Sequence, residues 1–89
     1  MTGAERREWV TERVEPEAVL WNECDDAIIG VSDGKVVYGR DALIAVFVAQ
    51  GMTEEDAEDW VGYNIEGAYV GEYTPLIVQE VPEKTPNTM

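Results

Sequence analysis

The chain has 89 residues, with 19 acidic against 6 basic side chains and no histidine, for a formal net charge of −13. One domain is expected at this length, and a hydrophobic content of 45% supports a small core rather than a large catalytic cleft under a lid. Such a charge balance excludes binding nucleic acid through its phosphates, which takes clustered Lys and Arg, and equally excludes docking on anionic membrane.

Thr2 and Glu5 stand at capping-box spacing, predicting a short helix over 3–14 that carries Trp9, Val10 and Val14 along one side. Pro16 lies just beyond and resists its continuation. Residues 18–21, Ala-Val-Leu-Trp, form a short extended candidate. The runs 27–31 and 35–38 then flank Ser32-Asp33-Gly34, and two β-branched runs around Asp-Gly predict a β-hairpin. Asp41 is placed to N-cap a helix over 42–50, with Gly51 ending it in a left-handed conformation. The apolar run in that segment also fits a buried strand, but the cap signals and its alanines favour helix. Apolar on every side, this helix needs cover on more than one face, from sheet and second helix or from another subunit.

Thr53-Glu54-Glu55-Asp56 opens the next helix, with acids in the first turn where they complement the macrodipole. At 100° per residue Ala57, Trp60, Val61, Asn64 and Ala68 share one side, with Ile65 at its margin, and Glu54, Glu55, Glu58, Asp59 and Glu66 share the other. Gly67 and Gly71 loosen the end, Tyr69 and Tyr73 flank the exit, and Thr74-Pro75 leads into a strand at 76–79. Residues 82–89 carry two prolines and no apolar pattern, and read as a tail outside a single domain at 1–81. Helix, hairpin, two helices and strand together predict an α+β fold: a small three-stranded β-sheet packed by a helical pair, with a short N-terminal helix. The sequence leaves the orientation of the last strand, parallel or antiparallel, open.

Several blocks carry a resemblance. Glu15-Pro16-Glu17-Ala18, Asp25-Asp26-Ala27-Ile28-Ile29-Gly30 and Val36-Val37-Tyr38 look like successive blocks of a group of small uncharacterised proteins of tailed viruses, of bacteria or archaea. So do Gly51-Met52-Thr53-Glu54-Glu55-Asp56-Ala57, Asn64-Ile65, Gly67-Ala68-Tyr69-Val70-Gly71 and Thr74-Pro75. The likeness runs in the same order from about Trp9 to Val78. It departs at Asn22-Glu23-Cys24, where such proteins often have a glycine and an aromatic. The resemblance implies a viral origin and action in the host cytoplasm, and it implies no activity.

Chemistry is sparse. Without histidine the usual Ser-His and Cys-His pairs are missing, and Cys24 lies between Glu23 and Asp25, whose charges suppress its thiolate. One cysteine permits no internal disulfide, which suits a reducing cytosol. No apolar stretch follows the N-terminal arginines as in a secretory signal, and the longest apolar run, 42–49, falls well short of the ~20 residues of a spanning helix. The expectation is a soluble cytoplasmic protein that is not an enzyme and has no cofactor. Asp25, Asp26, Asp33 and Asp41 would hold a divalent cation only if they gathered at one end of the hairpin, and their spacing matches no EF-hand loop. The glycines form no phosphate-binding motif.

The acidic residues are unevenly placed: from Asp41 to Glu83 there are ten acids and no base. Carboxylates repeated along a helix imitate a phosphate backbone to a protein whose groove is lined with Lys and Arg. The same composition, with two lysines in the whole chain, also fits a merely solvated face or solubility in high salt. Trp60 and Phe47 are assigned to the core, while Tyr69 and Tyr73 are candidates for an interface. The expected function is capture of a host or viral protein with a basic surface through Glu54, Glu55, Glu58, Asp59 and Glu66, as a nucleic-acid mimic or inhibitor of host machinery. The alternative is a structural or accessory homo-oligomer held by the apolar segment 42–49.

Overall fold

In the computed structural model, which describes residues 1–81, the first helix, α1, spans Gly3–Thr11. The predicted tail at 82–89 lies outside the described residues. The capping box forms: Thr2 Oγ1 accepts the Glu5 amide at 3.1 Å, and the Glu5 carboxylate accepts the Thr2 amide at 2.8 Å. The helix ends earlier than the sequence pattern suggests. The amides of Arg13 and Val14 both donate to the Val10 carbonyl, at 2.9 and 3.1 Å, so the chain tightens into a turn before Pro16. Val10 is fully buried and Val14 packs against the core, whereas Trp9 stays half out of it under the Arg13 guanidinium.

The extended candidate at 18–21 is not a strand. Its amides are taken elsewhere: Val19 donates to the Tyr73 carbonyl at 3.4 Å, and Trp21 donates to the Tyr38 hydroxyl at 2.8 Å. With those donors spent on loop and side-chain partners, no ladder forms. Leu20 and Trp21 instead pack against the core as a covering loop.

The hairpin forms as expected, with β1 at Ile28–Ser32 and β2 at Lys35–Gly39 paired antiparallel. Asp33 and Gly34 take φ of 54° and 76°, the two left-handed residues that a tight hairpin turn requires. A short 3-10 turn, Asp25–Ala27, leads into β1, and a bulge interrupts the register between Ile28 and Gly30. The third strand, β3 at Leu76–Val78, lies on the other side of β2 and runs parallel to it, with Val37 opposite Leu76 and Gly39 opposite Val78. A parallel partner needs a long crossover, and the intervening helices supply it. Val36, Val37 and Tyr38 are all buried, so the central strand is covered on both faces. The fold is α+β, a small three-stranded sheet with helices and an N-terminal helix.

The apolar run is helical, α2 at Arg40–Ala49. Asp41 is not its N-cap. Gly39 occupies that position, Asp41 sits in the first turn, and the cap comes from far along the chain: Glu80 Oε1 accepts the Asp41 amide at 3.0 Å. Gln79 Nε2 also donates to Asp41 Oδ2 at 3.1 Å. At the other end Gly51 takes φ 113° while Gly51 and Met52 donate to the carbonyls of Val48 and Phe47, the paired bonds of a glycine-terminated helix. A Cβ at Gly39 would collide with the Glu80 carboxylate. Glu80→Ala is therefore expected to lower stability by about 1 kcal/mol through loss of the cap, and Gly39→Ala by a similar amount through its displacement. In a double-mutant cycle read by urea unfolding the two losses should overlap rather than add; additive losses would mean Glu80 is not the cap.

The second helix of the pair, α3, spans Glu54–Trp60 and continues as a π-helical segment, Val61–Glu66. Thr53 caps it, its hydroxyl accepting the Asp56 amide at 3.1 Å. Ala57, Val61 and Ile65, four residues apart, form its buried stripe and join Leu43 and Ile44 of α2, Tyr38 and Val36 of β2, Ile28 of β1 and Val10 of α1 in one core. Trp60 and Asn64, placed on the inner side by α-helical spacing, are exposed: Trp60 stands about 60° from Ala57 on the side away from Val61, and the π turns after it widen the winding and carry Asn64 outward. Contrary to the core position expected for it, Trp60 remains 43% exposed and meets the Phe47 ring at a tilt, centroids 6.2 Å apart.

Candidate functional site

α3 presents its acids outward because Ala57, Val61 and Ile65 fix the opposite side in the core. Glu54, Glu55, Asp56, Glu58 and Asp59 are all exposed. Among the described residues none of these five takes part in an ion pair. Glu54 and Glu58, and Glu55 and Asp59, stand four residues apart, a spacing at which like charges repel by a few tenths of a kcal/mol per pair. The first-turn acids recover part of this against the helix macrodipole, which Glu58 and Asp59 are too far along to share.

Four of the five residues expected to bind a partner are therefore where the sequence put them. Glu66 is not. Its carboxylate accepts from Arg40 Nε at 3.2 Å, an ion pair across to the first residue of α2. The π winding carries it out of line with Glu54, Glu55, Glu58 and Asp59, and its charge is answered within the chain. Three residues on this face are not among the expected binding residues, and one of them, Trp60, is expected in the core. Asp56, Trp60 and Tyr63 line a shallow cleft of about 320 Å³ with Met52, Asp59 and Asn64, and Tyr63 is 84% exposed. The signal for them is the 56, 59, 60, 63 spacing, which repeats one helix face and interleaves acids with aromatic rings.

The other constellations do not assemble. Asp33 is at the hairpin turn, while Asp25 and Asp26 precede β1 at the opposite end of the strand. Asp25 is bound by Arg7 at 2.8 Å, and Asp41 by Gln79. Among the described residues no three acids or thiols are grouped as a metal would need. Cys24 is buried, and burial first, then the charges of Asp25 and Glu23, pushes its thiol up, away from thiolate. Tyr73 is half-buried beside Gly34 and Glu15, with Glu15's charge raising its hydroxyl's pKa, whereas Tyr69 is 78% exposed. Most of the bulk of the 42–49 segment is used within the chain: Leu43 and Ile44 are buried, Val46 and Phe47 pack against the core, and Ala45, Val48 and Ala49 remain outside. Among the described residues no helix is long and apolar enough to cross a membrane.

Comparison with known proteins finds no match: no family model, no curated protein and no solved structure.

Proposed function

We propose that this chain is a non-enzymatic protein of viral origin that captures a host or viral protein with a basic surface in the host cytoplasm, through the outer face of α3. The observation that carries the reading is the set Glu54, Glu55, Asp56, Glu58 and Asp59, exposed side by side without a cation from the described residues and bordered by exposed Trp60 and Tyr63. Clustered carboxylates give a field that steers a basic partner, and aromatic anchors supply the contact area that charge alone lacks. Regular spacing along the helix makes the face a stand-in for a phosphate backbone, so a nucleic-acid-binding protein is the expected target. The lack of histidine and the burial of Cys24 favour binding over catalysis. The viral origin rests on the resemblance of the sequence blocks to proteins of tailed viruses.

The test is capture from infected host lysate at low and high salt, with the wild type beside a Glu55→Lys/Glu58→Lys/Asp59→Lys variant. All three positions are exposed, so melting of the variant should stay close to wild type. The wild type should retain a salt-sensitive nucleic-acid-binding protein, and the variant should hold it at least about tenfold less well, with a flatter salt dependence. Equal capture by both proteins would sink the reading.

A further inference from the structure

We infer that the cleft between Asp56, Asp59, Trp60 and Tyr63 is a seat for an arginine side chain of the partner protein; the inference rests on the binding face proposed above and names the chemistry that it recognises. Trp60 and Trp9 are exposed to nearly the same degree, 43% and 40%. The Trp9 ring is covered within the chain, by the Arg13 guanidinium 4.0 Å from its centroid. Among the described residues no cation covers Trp60. Phe47 meets its ring at a tilt of 58° with centroids 6.2 Å apart, and the Trp60 side chain lines the cleft.

The walls of the cleft suit a guanidinium better than an ammonium. Trp60 and Tyr63, three residues apart, offer aromatic surface on which a planar cation stacks. Asp56 and Asp59, also three residues apart, offer carboxylates to the fork of donors at its edge. Met52 closes the apolar side, where the methylene stem of the incoming residue would lie. Lysine satisfies the charge but neither the stacking nor the fork. The widened winding after Trp60 leaves Tyr63 open to solvent at the mouth of the cleft.

The experiment uses alanine-based helical peptides of about sixteen residues, long enough to be partly helical, with arginine at every fourth position, and their lysine and glutamine counterparts. Binding to the full chain is followed by calorimetric titration at low salt. The arginine peptide should bind about fivefold more tightly than the lysine peptide. Trp60→Ala and Tyr63→Ala should each bring the arginine peptide close to the lysine level while leaving the lysine peptide unchanged; the high exposure of Tyr63 makes its variant safe for the fold. Equal affinities for the two peptides, unaltered by either substitution, would overturn the arginine seat and leave the acidic face standing. Binding of neither peptide above the glutamine control would overturn both.

Discussion

Leu43→Ala is expected to cost the fold about 2–5 kcal/mol, while Val48→Ala in the same helix should cost no more than about 0.5 kcal/mol. Leu43 is fully buried in the cluster that joins α2 to Tyr38, Val61 and Val10, so its removal leaves a cavity where four elements meet. Val48 is 40% exposed on the opposite side. For a small domain whose whole stability is about 5–15 kcal/mol, the first loss is large enough to halve it. Urea unfolding at several protein concentrations checks both values. The result also separates two uses of the apolar run 42–49. If the helix is spent on its own core, the Leu43 effect is independent of concentration and Val48 is nearly silent. A subunit contact through the outer side predicts that Val48→Ala lowers stability in a concentration-dependent way.

Tyr38→Phe should produce the second large effect, and a distinctive dependence on pH. The ring is fully buried in the central strand, and its hydroxyl accepts the Trp21 amide at 2.8 Å. Removing that oxygen leaves a part-buried amide unsatisfied, at about 1–3 kcal/mol near neutral pH. Burial pushes the pKa of this hydroxyl up to about 12, partly opposed by the hydrogen bond from Trp21. In the unfolded chain a tyrosine titrates near 10. The folded state therefore holds the proton more tightly than the unfolded one, and the stability tied to this is full below about pH 10 and lost as pH rises through about 12. Between those limits wild type should lose up to about 1.4 kcal/mol per pH unit more than Tyr38→Phe, so the two stability curves should converge. The raised thiol of Cys24 adds a loss of the same sign, and because its charge also lifts the Tyr38 hydroxyl the comparison is made with Cys24→Ala in both proteins. Curves that stay parallel up to pH 12 would show that the hydroxyl is not held neutral by its burial.

Features legible in the sequence were those whose physics is local. The capping box at Thr2 and Glu5, the Asp33-Gly34 turn, the Gly51 terminus of α2 and the Thr53 cap each involve residues within a few positions of one another, and each formed. The outward acids Glu54, Glu55, Glu58 and Asp59 were legible for the same reason, since an opposite stripe needs only the helical period. Reading failed where a distant partner decided the outcome. The extended residues 18–21 lost their strand to the Tyr38 hydroxyl and the Tyr73 carbonyl. Asp41 lost its cap role to Glu80, 39 positions on. Asn64 left the inner side and Glu66 left the acidic face because the winding after Trp60 is π rather than α, which a fixed angle of 100° per residue does not anticipate, while Trp60 stands at the edge of the stripe, where it meets Phe47 instead of the core.

The charge of −13 and its concentration after Asp41 are properties of the sequence alone, since counting acids requires no fold, and they underlie the expectation of a basic partner rather than a phosphate or anionic-membrane surface. Which of those acids are available was decided only by the tertiary structure. Arg40 answers Glu66, Arg7 answers Asp25, and Glu80 is drawn onto the start of α2, while the outer side of α3 meets no cation among the described residues. The same packing opened Trp60 and Tyr63 beside Asp56 and Asp59, turning an acidic stretch into a cleft with aromatic walls. The physical reason is common to both: a Coulomb pair or a stacked ring depends on separation in space, and the chain fixes that separation only when β3 returns alongside β2 and α3 packs on α2.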